Sequence, residues 1–184
     1  MLRVAGHAVN HAEPPHHPAV LPAVLARWTQ GAAQDVELLG IDEARLQPRT
    51  ARHVALGRAM ARRLPVRDEQ ARDWQQRLDG LFARYDVLVL PTLAHDPPGA
   101  HAWHTRSWLA NAAANLWAYP LTSAFNLADV PVAAVPLGTH RGRPLSVQVV
   151  AAQGREDLVL AVAAQLERQR PWTRHAPGWG VPTS

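Results

Sequence analysis

Serine is the residue of this chain that most directly suggests hydrolytic chemistry, but its sequence context argues against that role. The four serines are Ser107, Ser123, Ser146 and Ser184. A serine nucleophile is commonly exposed on a sharp turn with the pattern Gly-x-Ser-x-Gly, and none of the four has flanking glycines. All nineteen basic residues are arginine, so no lysine is present to act as a general base or to form a Schiff base. The sequence therefore predicts no catalytic residue and no self-contained serine hydrolase.

Two groups of histidines raise the question of a metal site. The first contains His7, His11, His16 and His17, and the second contains His95, Asp96, His101 and His104. Prolines interrupt any helix that would align the first group, and the spacing of the second fits no metal motif. The chain has no cysteine, which excludes thiolate sites. We therefore predict solvated loop histidines, with no metal and no cofactor.

Arginine is concentrated between residues 45 and 84, where ten arginines accompany four acidic residues. Such a segment suits nucleic acid, but arginines on the outer faces of helices usually pair with nearby acids. The loop "LGTHRGRP" has two glycines, yet no helix follows it directly to hold a phosphate. Weak nucleic-acid binding through these helices is kept as an alternative, although the net charge of +4 is modest.

Length and composition bound the class of protein. The 184 residues suit one domain spanning residues 1–184, with an irregular segment at 1–18 and a loose tail at 171–184. The hydrophobic share of 47% supports a sizeable core. No apolar run approaches the roughly 18 residues of a membrane span, and the N-terminus lacks the apolar stretch of a secretory signal. The absence of cysteine favours a cytoplasmic location.

The elements that would position any site follow from the spacing of apolar residues. Steps of three and four predict helices over residues 18–31, 50–63, 68–85, 107–119 and 156–169, with a short helix after residue 120. Gly31 marks the expected end of the first helix, and Thr50 is the expected N-cap of the second. The apolar run at residues 86–92 is typical of a buried strand at a sheet's centre. Residues 132–136 and 145–151 predict an antiparallel hairpin. The predicted fold class is α/β, with helices covering a β-sheet.

Three segments of the sequence, taken in order, resemble part of a known protein family. The segments "FARYDVLVLPTLAHDPP", "PLTSAFNLADVPVAAVPLG" and "GRPLSVQVVAAQGREDLVLAVAAQLE" occur in an order that resembles the C-terminal part of the amidase signature family. The matching positions are Asp86, Pro91, Thr92, Asn126, Pro131, Pro136, Pro144, Gln148 and Glu156. Asp129 and Ser146 stand where the family usually has glycine.

The resemblance implies a partial amidase-signature-like fold, a mixed β-sheet covered by helices, and amide-bond hydrolysis as the class of activity. Family members use a Ser–cis-Ser–Lys triad in their N-terminal part, and no position of this chain matches it. No catalytic residue is therefore carried over. The residues that the resemblance places at the border of a substrate pocket are Thr92 and Asn126, although Asn126 can equally cap the turn between helix and strand.

Three interpretations remain open at this point. The first is a truncated or degenerate C-terminal fragment of an amidase, inactive alone, whose partner is the missing N-terminal half and which takes a small amide only when completed. The second is a non-catalytic interaction module, because uncovered strand edges and apolar faces favour self-association. The third is the weak nucleic-acid binding described above.

Overall fold

The computed structural model describes residues 1–15 and 17–172. Its helices are α1 (Val20–Leu38), α2 (Pro48–Ala61), α3 (Asp68–Phe82), α4 (Trp108–Ala118), α5 (Ser123–Leu127) and α6 (Glu156–Gln169), and its strands are β1 (Val87–Pro91), β2 (Val132–His140) and β3 (Arg143–Ala151). The described part of segment 1–18 contains turns but no helix or strand. Most of the predicted tail at 171–184 lies outside the described residues.

The three strands form one sheet in the order β1-β3-β2. β2 and β3 make the predicted hairpin, joined by a two-residue turn in which Arg141 (φ 50°) and Gly142 (φ 74°) are both left-handed, as a type I′ turn requires. The sheet implied by the resemblance is mixed, whereas every pairing within the described residues is antiparallel. β2 and β3 run in opposite directions because a tight turn joins them. β3 also runs opposite to its other neighbour, β1.

The sheet is covered on both faces. On one face, Leu88 of β1 and Val150 of β3 pack against Trp74 and Leu78 of α3 and against Phe125 of α5. On the other face, α6 packs against the sheet, and the buried residues there are Val135, Val149, Val162 and Leu166. The α/β class with helices covering a sheet is therefore confirmed.

The first two helices begin and end differently from the expectation. Gly31 does not end α1, which continues to Leu38, because Ala33 and Val36 pack against the buried Val54 of α2. That packing outweighs the roughly 1 kcal/mol that a glycine costs inside a helix. Thr50 is not the N-cap of α2; the cap is Gln47, and Pro48 occupies the first helical position, where the missing N–H of proline has no consequence.

Candidate functional site

Thr92, one of the two predicted border residues, lies immediately after β1 and is tied to β3. Its backbone N–H donates to the carbonyl of Ser146 at 3.3 Å, and the Ser146 hydroxyl donates to Thr92 Oγ1 at 3.0 Å. The Ser146 hydroxyl thereby holds the Thr92 side chain in place.

Gln148 of β3 is the residue whose role the motif alone did not reveal. Its side chain is 1% exposed, and its Nε2 donates to the carbonyl of Pro91 at 3.2 Å and to that of Leu121 at 3.1 Å. One amide therefore joins the end of β1 to the segment between α4 and α5. The signal was present in the sequence, since a glutamine inside the apolar run "VQVV" must find hydrogen-bond partners when it is buried.

An open cleft between α1, α4 and α5 contains the other predicted residue, Asn126. The cleft has a volume of about 430 Å³, within the range of small-molecule sites. Its walls are mostly apolar, with a few polar groups: Val24, Leu25, Arg27, Trp28, Ala112, Asn115, Leu116, Tyr119, Thr122, Ser123, Asn126 and Leu127. The mixture suits an apolar small molecule with one or two hydrogen-bonding groups.

Asn126 presents its side chain at the surface instead of using it to cap a turn. The turn after α5 is closed by main-chain bonds, with the N–H of Asp129 donating to the Asn126 carbonyl at 3.4 Å. Asp129 itself has φ 53°, a left-handed conformation that favours glycine. Aspartate is among the side chains that tolerate this conformation best.

The structure does not bring Thr92 and Asn126 into one cleft. Thr92 does not line the cavity that contains Asn126. Gln148 bonds the carbonyls of Pro91 and Leu121, which precede these two residues in the chain. Ser123 does line the cavity, but among the described residues no histidine, lysine or carboxylate lines the cleft beside it to take its proton. Within that part of the chain, the cleft therefore has no nucleophile–base pair.

Two of these histidines, His7 and His95, contact other side chains in the structure. His7 hydrogen-bonds Gln165 at 2.5 Å, and the His95 ring stacks on Trp117 with centroids 3.7 Å apart. Within residues 1–15 and 17–172, no group of three histidines or carboxylates is arranged to hold a metal ion. His16 lies outside the described residues.

Part of the charge in the Arg-rich segment is neutralised by ion pairs. Arg58 contacts Glu43 at 2.8 Å and Glu37 at 3.5 Å, and Arg72 contacts Glu69 at 3.7 Å. The hydrogen bond from Arg58 lowers the pKa of Glu43, and the same bond raises the pKa of Arg58.

In the part of the chain that the structure describes, no helix is long and apolar enough to cross a membrane.

Comparison with known proteins identifies the family. The model of the amidase family matches residues 1–160, which is most of the chain, and the chain therefore belongs to that family. AmiA2 of Mycobacterium tuberculosis, which is named as an amidase, is 31% identical over 179 residues. The 6-aminohexanoate-cyclic-dimer hydrolase of Paenarthrobacter ureafaciens is 36% identical over 105 residues, 52% of this chain.

The same class of enzyme is found among solved structures. A 6-aminohexanoate cyclic dimer hydrolase complexed with substrate matches 96% of this chain with a TM-score of 0.75 and 28% identity. This chain spans 40% of that structure and 37% of the length of AmiA2, while AmiA2 matches 96% of this chain. The fold of the described residues is thus that of one part of an amidase.

Proposed function

We propose that this chain forms a supporting part of an amide-bond hydrolase and has no amide turnover by itself. In this role it positions one wall of a substrate site, while the nucleophile and base come from the region that amidases possess outside the matched span. The observation that carries the proposal is the combination of an amidase fold with a chain that lacks lysine altogether. Without those groups, only weak residual effects of binding remain.

We propose that Asn126 and Thr92 border this substrate site in different ways. Asn126 lines the cleft between α1, α4 and α5, so its amide is placed to hydrogen-bond an amide or carboxyl group of a small substrate. Thr92 does not line that cleft, and its hydroxyl is held by Ser146. Its contribution is therefore to fix the end of β1, and its contact with substrate depends on the missing region.

A serine-directed fluorophosphonate probe tests the proposal. The homogeneous chain is expected to remain unlabelled under conditions that label an active amidase, because it contains no lysine to activate a serine. A complex with the remaining part of an amidase is expected to be labelled on that partner. Stoichiometric labelling of Ser123 or Ser146 in the isolated chain would contradict the proposal.

A second candidate function, an interaction module, is favoured by the exposed apolar side chains. Leu109 and Trp117 of α4 are 73% and 62% exposed, and Leu160 of α6 is 66% exposed. Contiguous patches of such residues mark surfaces that a partner or a second copy covers. Sedimentation of the purified chain distinguishes a second copy from another partner, because self-association depends on the concentration of the chain itself.

Two further proposals concern the location of the protein and its binding of nucleic acid. A cytoplasmic location is supported by the absence of cysteine. Weak nucleic-acid binding through the Arg-rich helices would fall steeply with salt, so an unchanged mobility of DNA and RNA at low ionic strength would remove it.

A further inference from the structure

His53 of α2 belongs to neither histidine group of the sequence and lies between two tryptophans. Its Nε2 lies 3.1 Å from the main-chain carbonyl oxygen of Trp28 in α1, and the indole Nε1–H of Trp108 in α4 donates to its Nδ1 at 2.7 Å. The centroid of the Trp28 ring lies 4.6 Å from that of His53 and 5.7 Å from that of Trp108. One imidazole therefore joins the three helices α1, α2 and α4.

The two hydrogen-bond partners of His53 determine its protonation state. An indole nitrogen can only donate, so Nδ1 must accept with a lone pair, and a carbonyl oxygen can only accept, so Nε2 must carry a hydrogen. The neutral imidazole with its hydrogen on Nε2 is the one form that satisfies both partners. Protonation would place a second hydrogen on Nδ1, directly facing the indole N–H of Trp108. The bond between His53 and Trp108 would then be lost.

The charged groups beside His53 act in opposite directions. A cavity of about 520 Å³ next to the imidazole is lined by Asp35 of α1 and Arg49 of α2, and among the described residues those of α4 that line it carry no charge. Arg52, the preceding residue of α2, is exposed. A carboxylate favours the charged imidazolium and a guanidinium opposes it. The bond to Trp108 is therefore the interaction that most clearly distinguishes the two forms of His53.

Trp28 connects His53 to the cleft that contains Asn126. Its side chain lines both that cleft and the cavity beside His53. Trp28 is 45% exposed, so the position of its indole ring depends on the contacts that it makes with the rings of His53 and Trp108. A change in those contacts therefore changes one wall of the cleft.

We propose that His53 is a positioning residue that makes ligand binding in the cleft between α1, α4 and α5 sensitive to pH. The proposal rests on the proposed function for the role of this cleft as a substrate site, and it names the regulation of that site. With His53 neutral, the indole of Trp28 is held in place and an uncharged apolar ligand binds. With His53 protonated, Trp108 has lost its acceptor, the wall formed by Trp28 is loosened, and binding is weaker.

Fluorescence titration of the homogeneous chain with N-phenyl-1-naphthylamine, an uncharged aromatic dye, tests the proposal. Between about pH 8 and about pH 5, the range in which histidine ordinarily changes its charge, the dissociation constant is expected to rise about tenfold, the effect of losing one or two hydrogen bonds. Ser123→Trp fills the cleft and is expected to abolish binding. Absence of binding at the upper pH, or binding that Ser123→Trp leaves unchanged, would overturn the proposal.

Variants of His53 separate its titration from its structural role. Glutamine offers a carbonyl oxygen and an amide N–H in place of Nδ1 and Nε2–H but does not titrate, so His53→Gln is expected to bind the dye equally well at both pH values. His53→Leu removes both bonds and is expected to bind weakly at both. His140→Gln, at an exposed position at the end of β2, is the matched control and is expected to keep the full pH dependence. Circular dichroism at each pH establishes folding, and a pH dependence of His53→Gln equal to that of the unaltered chain would overturn the proposal.

NMR of the unaltered chain gives a second test that does not depend on the His53 variants. At the upper pH, long-range ¹H–¹⁵N spectra are expected to place the hydrogen of His53 on Nε2. The indole N–H signal of Trp108, assigned with Trp108→Phe, is expected to shift and to exchange faster with water as His53 gains its proton. A hydrogen on Nδ1 at the upper pH, or an indole signal that does not respond while His53 titrates, would contradict the proposal.

Failure of the proposed function is distinguishable, because neither measurement requires amide turnover. If dye binding follows the charge of His53 but a complex with the rest of an amidase hydrolyses no amide, the function is wrong and the role of His53 stands. An active complex formed by a chain whose dye binding is independent of pH gives the reverse conclusion.

Discussion

Gln148 shows how one side chain of β3 determines the relative placement of three segments. Its amide bonds the carbonyls of Pro91 and Leu121 from a position that is 1% exposed. Replacing it by leucine, which has a similar size, leaves both carbonyls without a donor. A buried polar group without a partner costs about 1–3 kcal/mol, so Gln148→Leu is expected to lower the free energy of unfolding by about 2–4 kcal/mol.

Urea denaturation measures this loss. Gln76→Leu on the exposed side of α3 is the matched control and is expected to change stability by no more than about 0.5 kcal/mol. Equal stability of Gln148→Leu and the unaltered chain would show that the two carbonyls are satisfied by other groups.

Asp129 gives a second prediction for a single residue. Its φ of 53° is a conformation that glycine adopts freely and β-branched residues adopt at a cost of about 1–3 kcal/mol. Asp129→Gly is expected to retain or slightly raise the melting temperature, and Asp129→Val to lower stability by about 1–2 kcal/mol. Indistinguishable melting of the two variants would contradict a left-handed residue in this turn.

These residues also show what a sequence reveals at this scale. A buried polar role for Gln148 follows from its apolar neighbours, whereas the left-handed backbone of Asp129 comes from the structure. The bond between Ser146 and Thr92 joins residues 54 positions apart, and no local pattern specifies that register. The role of Asn126 was equally open, because its side chain could cap the turn or face a cleft.

At the scale of elements, α1 and α2 cross closely at Gly57. A Cβ built on Gly57 would lie 2.1 Å from the carbonyl oxygen of Thr29, whereas one built on Gly80 of α3 has no atom within 4 Å. Gly57→Ala is expected to destabilise the fold by at least about 2 kcal/mol, because backbone must move. Gly80→Ala is expected to stabilise it by about 0.5–1 kcal/mol through helix propensity.

Thermal melting of the two alanine variants tests this crossing. Stabilisation of both to the same extent would contradict the close approach of α1 and α2. Gly31, Gly57 and Gly80 look alike in the sequence, since each lies within or beside a helical pattern. Only the packing of α1 on α2 distinguishes them, and for that reason Gly31 was wrongly expected to end a helix.

The pair of Glu43 and Arg58 attaches the turn before α2 to that helix. The hydrogen bond from Arg58 lowers the pKa of Glu43 below its ordinary value of 4.5. A carboxyl with a lowered folded-state pKa contributes stability that is present above about pH 4.5 and is lost as the pH falls through the folded-state pKa. Comparing urea midpoints at pH 7 and pH 3, the unaltered chain is expected to lose more stability than Glu43→Gln. An identical loss in both proteins would contradict this assignment.

At the scale of the whole molecule, the order of helices and strands was predictable and the shape of the sheet was not. Residues 86–92 were predicted to form a strand at a sheet's centre because both faces are apolar. The strand is covered on both faces but has a neighbour on one side only within the described residues. Apolar periodicity reports how a strand's faces are covered, whereas its edges are determined by which other strands are available.

The central claim is that these residues support an amide-cleaving site and do not themselves cleave amides. Its most direct measurement is the steady-state rate of amide hydrolysis by the homogeneous chain, alone and after co-expression with the part of AmiA2 outside the matched residues. The expected result is no turnover above buffer for the chain alone and measurable turnover for the complex. Turnover by the isolated chain that remains constant per milligram through successive purification steps would contradict the claim.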